Sequence, residues 1–301
     1  DFDGDGMRDA TTTDPTTTHT FDSLGDVTPR VTVVDANVHV YPEDDELVRR
    51  LPERYREKGV AYPTGNWASP VGRFQGGTHE ERTGGSDPGA TKEYLDAQGI
   101  DRAVITGGEP TVRAAALPDA RYGHALTAAY NDWLVDTWLD DDRFAGSIAV
   151  SPLAPERAAE EIRRLADHPR MVQVVVGGGT QIPLGQEKYW PIYEAAAEND
   201  LPVAVHAGCE GYGVAHPNSG GGYPSTYLEQ RAVTPCNFMG QLLSLVVEGV
   251  FVEFPDLRVA LVGCGFGWLP SFLWRVDKVW KGPSQDIPWV SDPPSEYVRD
   301  H

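Results

Sequence analysis

Lysine is scarce in this sequence of 301 residues: of 25 basic side chains only Lys58, Lys92, Lys188, Lys278 and Lys281 are lysine, against 45 Asp and Glu. The resulting net charge of -20 and pI near 4.7 exclude nucleic acid and anionic membrane surfaces as partners, because the long-range field repels polyanions before contact. So few lysines beside so many carboxylates point to a salt-adapted, halophilic surface. At 1 M salt the Debye length is roughly 3 Å, which screens the self-repulsion of such a surface. Cysteine is also sparse. Cys209, Cys236 and Cys264 are odd in number and form no CxxC spacing, so a disulfide framework or zinc ribbon is not expected and a reducing cytoplasm is the expected location. No apolar run approaches the ~20 residues of a membrane span, and no basic-then-apolar signal pattern opens the chain. The expectation is a soluble protein whose partner is a small-molecule substrate.

Residues 1–29 are acidic, Thr-rich and without apolar periodicity, and read as a tail outside the core. The opening Asp1-Phe2-Asp3-Gly4-Asp5-Gly6 alternates carboxylates as a calcium loop does, but Thr12 stands where the closing Glu belongs, so the bland reading of a solvated tail is kept. From residue 30 onward β-branched runs alternate with helical patterns. The first, Val31 to Val40, is apolar at both parities until its end and reads as a strand buried on both faces. Residues 41–90 are rich in Pro, Gly and charge and read as a long loop that could roof a site. Helices follow near 91–98, 119–139, 155–166, 187–199, 228–248 and 268–280, alternating with strands at 102–106, 144–150, 171–176, 202–206 and 257–262. Residues 282–301 read as Pro-rich and irregular. Six βα units imply an α/β chain with a parallel sheet, whereas a full TIM barrel has eight.

In such a sheet, chemistry sits at the carboxyl ends of the strands. Asp35, Asn37 and His39 share one parity and would point together toward the barrel axis. His206 ends Leu201-Pro202-Val203-Ala204-Val205-His206, where its imidazole could meet His39 and hold a divalent metal, zinc foremost. The alternative is a pair of hydrogen-bonded structural histidines.

The ordered set Val34-Asp35-Ala36-Asn37-Val38-His39, Tyr130-Asn131-Asp132-Trp133-Leu134, Tyr189-Trp190-Pro191-Ile192-Tyr193, Pro202 to Gly208, Phe254-Pro255-Asp256-Leu257-Arg258 and Gly267-Trp268-Leu269-Pro270 resembles the amidohydrolase-related family. This is the TIM-barrel group of metal-dependent hydrolases that includes aminocarboxymuconate-semialdehyde decarboxylase. The resemblance extends over roughly residues 31 to 301 and makes residues 30–301 one barrel domain. It implies a site with a His-x-His pair on strand one, a His on strand five, a His or other polar group on strand six and an Asp on strand eight. His39 then matches the second His of the pair and His206 the strand-five ligand, while Asn37 stands in place of the first His. Gly263 falls where relatives often carry Glu or His, with Cys264 beside it. After Pro294-Ser295-Glu296-Tyr297, relatives continue into strands seven and eight. The open edges of strands one and six are therefore expected to be covered by a partner chain, an identical chain or a further segment.

The reading is a metal-dependent hydrolase or non-oxidative decarboxylase, with His39, His206 and Asn37 at the metal. Asp35 and His216 are the catalytic candidates, and Trp67 and Tyr223 the substrate contacts. A catalytically degenerate barrel serving as a binding or regulatory subunit is the alternative. Several plainer readings sit beside these. Asn131 and Asp132 cap and pair on a helix; Cys264 is a small buried hydrophobe; Trp268, Trp274 and Trp280 pack rather than bind; Gly177-Gly178-Gly179 is at most a weak anion-approach loop.

Overall fold

A computed structural model describes residues 32–61 and 87–301. The acidic stretch 1–29, its calcium-like pattern and Trp67 lie outside the described residues.

The described chain runs β1 (Val34–Val38), α1 (Asp44–Arg50), α2 (Glu53–Arg56), α3 (Pro88–Gln98), β2 (Arg102–Ile105), α4 (Glu109–Arg113), α5 (Ala120–Trp138), β3 (Phe144–Ala149) and α6 (Pro155–Leu165). It continues through β4 (Met171–Gly177), α7 (Trp190–Glu198), β5 (Val203–His206), α8 (Tyr227–Val247), α9 (Val250–Glu253), β6 (Val259–Val262), α10 (Leu269–Trp280) and α11 (Pro294–Asp300). The six strands form one sheet in sequence order, and every neighbouring pair is parallel.

Local chemistry places the helices. Asp87 caps α3 by accepting from Ala90 N, Pro88 takes the first helical position where its missing N–H costs nothing, and Gly99 closes the helix at φ 68°. Asp119 caps α5 at Tyr122 N. Thr226 and Glu229 form a reciprocal capping box at the start of α8. Strands β3 to β5 are β-branched and small-residue runs whose inner positions are fully buried. Against them pack Trp138, Tyr130 and Leu134 of α5 and Tyr193 of α7, where Trp138 meets Phe144 of β3 edge to face at 5.1 Å.

Three expectations are corrected. The first strand is not buried on both faces: Val33 and Val34 are 45% and 48% exposed, because β1 pairs only with β2 and lies at the sheet edge. The stretch 41–90 is not all loop, since α1 and α2 form where Leu47, Leu51 and Tyr55 bury apolar side chains against the core. Residues 282–301 are not irregular throughout. Pro294, in the first turn of α11 where a proline is accommodated, begins a helix there.

The sheet curls into a half-barrel. Four strand intervals at ~4.8 Å would set the ends of β1 and β5 roughly 19 Å apart in a flat sheet. Instead the rings of His39 and His206 stand 4.9 Å apart.

Candidate metal centre

His39 follows β1 and His206 ends β5, so both stand at the carboxyl edge of the sheet. Each imidazole has its tautomer fixed by a backbone carbonyl. His39 Nδ1 is bonded to Gly107 O and His206 Nδ1 to Ala207 O at 2.8 Å. A carbonyl only accepts, so both Nδ1 atoms carry the proton and both Nε2 atoms are left as bare lone pairs. The carbonyl that holds His39 is offered by Gly107 at φ 94°, where a Cβ would lie 1.9 Å from Thr111 Oγ1. Only glycine fits that turn.

His206 Nε2 lies 3.0 Å from Asn37 Oδ1. That oxygen also accepts from Thr106 Oγ1 at 2.7 Å, and in this orientation of the amide its oxygen faces the imidazole. Nitrogen lone pair thus faces oxygen lone pair. A proton shared as imidazolium would reconcile them, but burial, with the neighbouring His39 adding to it, lowers the His206 pKa to about 4, so the ring is neutral near pH 7. A divalent cation would reconcile them without that cost, and imidazoles whose Nδ1–H groups are anchored to backbone form the usual arrangement for one. The donor set fits a metal but is small. Among the described residues no group of three or more His, Cys, Asp and Glu converges, and the amide oxygen of Asn37 would be the third donor.

The other sequence candidates are placed as follows. Asp35 bonds within its own strand. Three residues of β1 span two of β2 between Asp35 and Val38, a bulge that breaks the alternation grouping them, and Asp35 Oδ1 accepts from Asn37 N at 2.9 Å. His216 is exposed, and its backbone closes a turn with Gly211 and Thr180. Tyr223 is 45% exposed and its ring packs over Gly211. Gly263 lies over His206, its virtual Cβ 4.0 Å from the ring. Cys264 is buried, its thiol pKa raised by burial, consistent with an inert apolar filler. Asn131 is fully buried and clasps Ala149 through both N–H and C=O, a structural role. The glycine run serves packing: a Cβ on Gly177 would sit 2.6 Å from Val112 O, and one on Gly179 2.7 Å from Glu210 N.

Two residues escape sequence reasoning. Thr106, fully buried just past β2, was legible by the same strand-end rule that finds the histidines. Glu210, buried in the loop after β5, accepts from Gly208 N at 3.1 Å, and burial pushes its carboxyl pKa up. Only its distance from His206 in the sequence hints at it. An apolar recess of about 290 Å³ lined by Leu243, Val247, Phe272, Val276 and Val279 lies among the outer helices and shares no residue with the strand ends.

A family model described as amidohydrolase matches residues 34–300. Among curated proteins the chain is similar to gamma-resorcylate decarboxylase of Rhodococcus jostii strain RHA1, 26% identical over 218 residues, 67% of this chain and 61% of that one. It is similar also to the gamma-resorcylate decarboxylase of Rhizobium sp. strain MTP-10005, 27% identical over 199 residues, 62% of this chain and 57% of that one. The chain thus spans about six-tenths of the length of the curated relatives it matches. Among solved structures, an amidohydrolase from Mycobacterium avium subsp. paratuberculosis K-10 superposes with TM-score 0.68 at 18% identity, covering 91% of this chain and 81% of that one. The 5-carboxyvanillate decarboxylase of Novosphingobium aromaticivorans, complexed with manganese and 4-hydroxy-3-methoxy-5-nitrobenzoic acid, gives 0.62 at 22%, covering 85% and 71%. At these identities the likeness establishes the fold.

Proposed function

The chain belongs to the amidohydrolase family, and on that premise we propose that it takes part in a divalent-metal-dependent, non-oxidative decarboxylation of a small hydroxylated aromatic carboxylate. The observation that carries the reading is the convergence of the His39 and His206 rings, 4.9 Å apart, and the Asn37 amide oxygen, 3.0 Å from His206 Nε2, at the carboxyl end of the curled sheet. Between the two reactions that the sequence leaves open, the curated relatives, named gamma-resorcylate decarboxylases, favour decarboxylation over hydrolysis. They also favour an enzyme over a degenerate binding subunit.

His39, His206 and Asn37 would hold the ion. An ion held there supplies a positive charge that draws the substrate carboxylate and a neighbouring oxygen to the strand ends and offsets their negative charge. The chain's own groups do the rest. The two Nδ1 bonds to Gly107 and Ala207 keep the imidazoles aimed. The buried sheet interior beneath them excludes water from one side of the site. An amide oxygen is a poor donor to zinc and a better one to harder cations, and a solved neighbour contains manganese. Manganese is therefore the favoured ion over zinc.

The test is incubation of the manganese-loaded protein with 2,6-dihydroxybenzoate and 5-carboxyvanillate, following release of carbon dioxide. Wild type is expected to release it and His206→Ala to fail. Equal rates in the two proteins, or stoichiometric metal retained by His206→Ala, would overturn the assignment.

A further inference from the structure

We propose that the recess between α8 and α10 is a binding site for an amphipathic monocarboxylate, its hydrocarbon body held between the two helices and its carboxylate at Arg275 and Lys278. The inference goes beyond the metal reading and does not depend on it, because the recess shares no residue with the strand ends.

Helix geometry sets two chemistries side by side. Phe272, Val276 and Val279 follow one another at intervals of four and three and so share one face of α10, as Leu243 and Val247 share one face of α8. With Ile287, from the segment that leads to α11, they line a recess of about 290 Å³, at the lower end of the roughly 300–1,000 Å³ range of small-molecule sites. No residue of α10 is buried, and Val279 is 45% exposed. The recess therefore opens to water, and apolar surface open to water gains by taking in hydrocarbon.

Arg275 is the one charged side chain among the described residues that line it. The residue is exposed, so its stem lies along the recess while the guanidinium reaches water. Lys278, also exposed, stands three residues on and is its neighbour on the helix surface. Neither cation has a carboxylate partner among the described residues. Asp277, which lies between them in the sequence, is taken up by α11, where it accepts from Ser295 N at 3.0 Å and Ser295 Oγ at 2.7 Å. Two unpaired cations bordering an apolar recess complement one negative charge on an apolar body. The net charge of -20 disfavours a polyanion, and a neutral hydrocarbon would leave both cations unused.

The test is a titration of the whole chain, its Leu and Val methyls labelled for nuclear magnetic resonance, with octanoate, octanol and octylamine, which share one hydrocarbon chain and differ in charge. Octanoate is expected to shift the methyls of Leu243, Val247 and Val276 saturably, with octanol about fivefold weaker and octylamine weaker still. The double variant Arg275→Gln, Lys278→Gln is expected to lower octanoate affinity about fivefold, to the level of octanol, and to leave octanol binding unchanged. Val279→Trp, which fills the recess from its open side, is expected to weaken both. Equal affinity for all three ligands, unchanged octanoate affinity in the double variant, or shifts confined to methyls elsewhere would overturn the proposal. Shifts at the recess methyls on raising the protein concentration alone would assign this face to a second copy of the chain and overturn it as well. Both glutamine substitutions are at exposed positions, so the charge test stands even should Val279→Trp not fold.

Discussion

The strongest quantitative consequence of the site is an acid limb in the stability of the metal-free protein. His206 has its pKa lowered from 6.5 to about 4, chiefly by burial and secondarily by His39. In the unfolded chain the ring takes a proton at its ordinary value, so between pH 6.5 and about 4 the unfolded state binds a proton that the folded state refuses. Stability from this residue is therefore fully present above pH 6.5 and is lost as pH falls toward 4. At about 1.4 kcal/mol per pH unit the loss is on the order of 3 kcal/mol, a large part of a typical net stability of ~5–15 kcal/mol. Urea unfolding in chelator at pH 7, 6, 5 and 4 would measure it, with His206→Asn as reference. Asparagine keeps a donor near the Nδ1 position for Ala207 O and cannot titrate. Two other groups shape the background: His124, whose pKa is also lowered by burial, adds to the acid limb. Glu210, whose pKa is raised by burial, acts oppositely, its contribution being present at low pH and lost as pH rises through the folded value. Both are common to the two proteins and cancel in the difference. Wild type should lose about 3 kcal/mol more than His206→Asn between pH 7 and 4. Parallel curves would mean that the ring is not held neutral and that the lone-pair argument fails.

Three further outcomes are expected. Asn131→Ala strips partners from both Ala149 N and Ala149 O in the buried end of β3 and should cost about 2–5 kcal/mol in urea unfolding while leaving manganese affinity unchanged; loss of metal binding without loss of stability would instead place Asn131 in the site. Gly177→Ala puts a methyl 2.6 Å from Val112 O and should lower stability by about 1–3 kcal/mol, so a neutral effect that also abolished anion binding would revive the anion-loop reading. If the acid excess reflects salt adaptation, the melting temperature should rise between dilute buffer and roughly 1 M KCl, where screening is nearly complete, and a flat or falling temperature would refute it.

The parallel half-barrel was legible because its central strands are written in a form that only a doubly covered strand explains. Met171-Val172-Gln173-Val174-Val175-Val176 and Val203-Ala204-Val205 lie between helices with long apolar faces. The edge was not legible. Val33 and Val34 have the same composition as the central strands, and composition carries no sign of which strand lacks a neighbour. The short helices α1, α2 and α11 were hidden by prolines read as breakers. Pro294 and the capping Pro293 sit where a helix begins, and position rather than presence decides what a proline does. In the site, the strand-end rule picked out His39, Asn37 and His206, which the structure brings together, whereas the bulge in β1 between Asp35 and Val38 interrupts the alternation that grouped Asp35 with them and leaves no mark in residue types.

Proton placement separates the metal reading from the plainer one of two structural histidines. A structural pair would be expected to satisfy itself, one ring donating to the other or both donating to acceptors. Here each ring turns its Nδ1 to a backbone carbonyl, and the two rings meet edge to face at 4.9 Å between centroids. His206 could be relieved by taking a second proton, but burial opposes that charge and His39 beside it opposes it further. A cation held between the two imidazoles and the amide oxygen would offset the facing lone pairs of His206 and Asn37, and that is the ground on which the ion site is proposed over core packing.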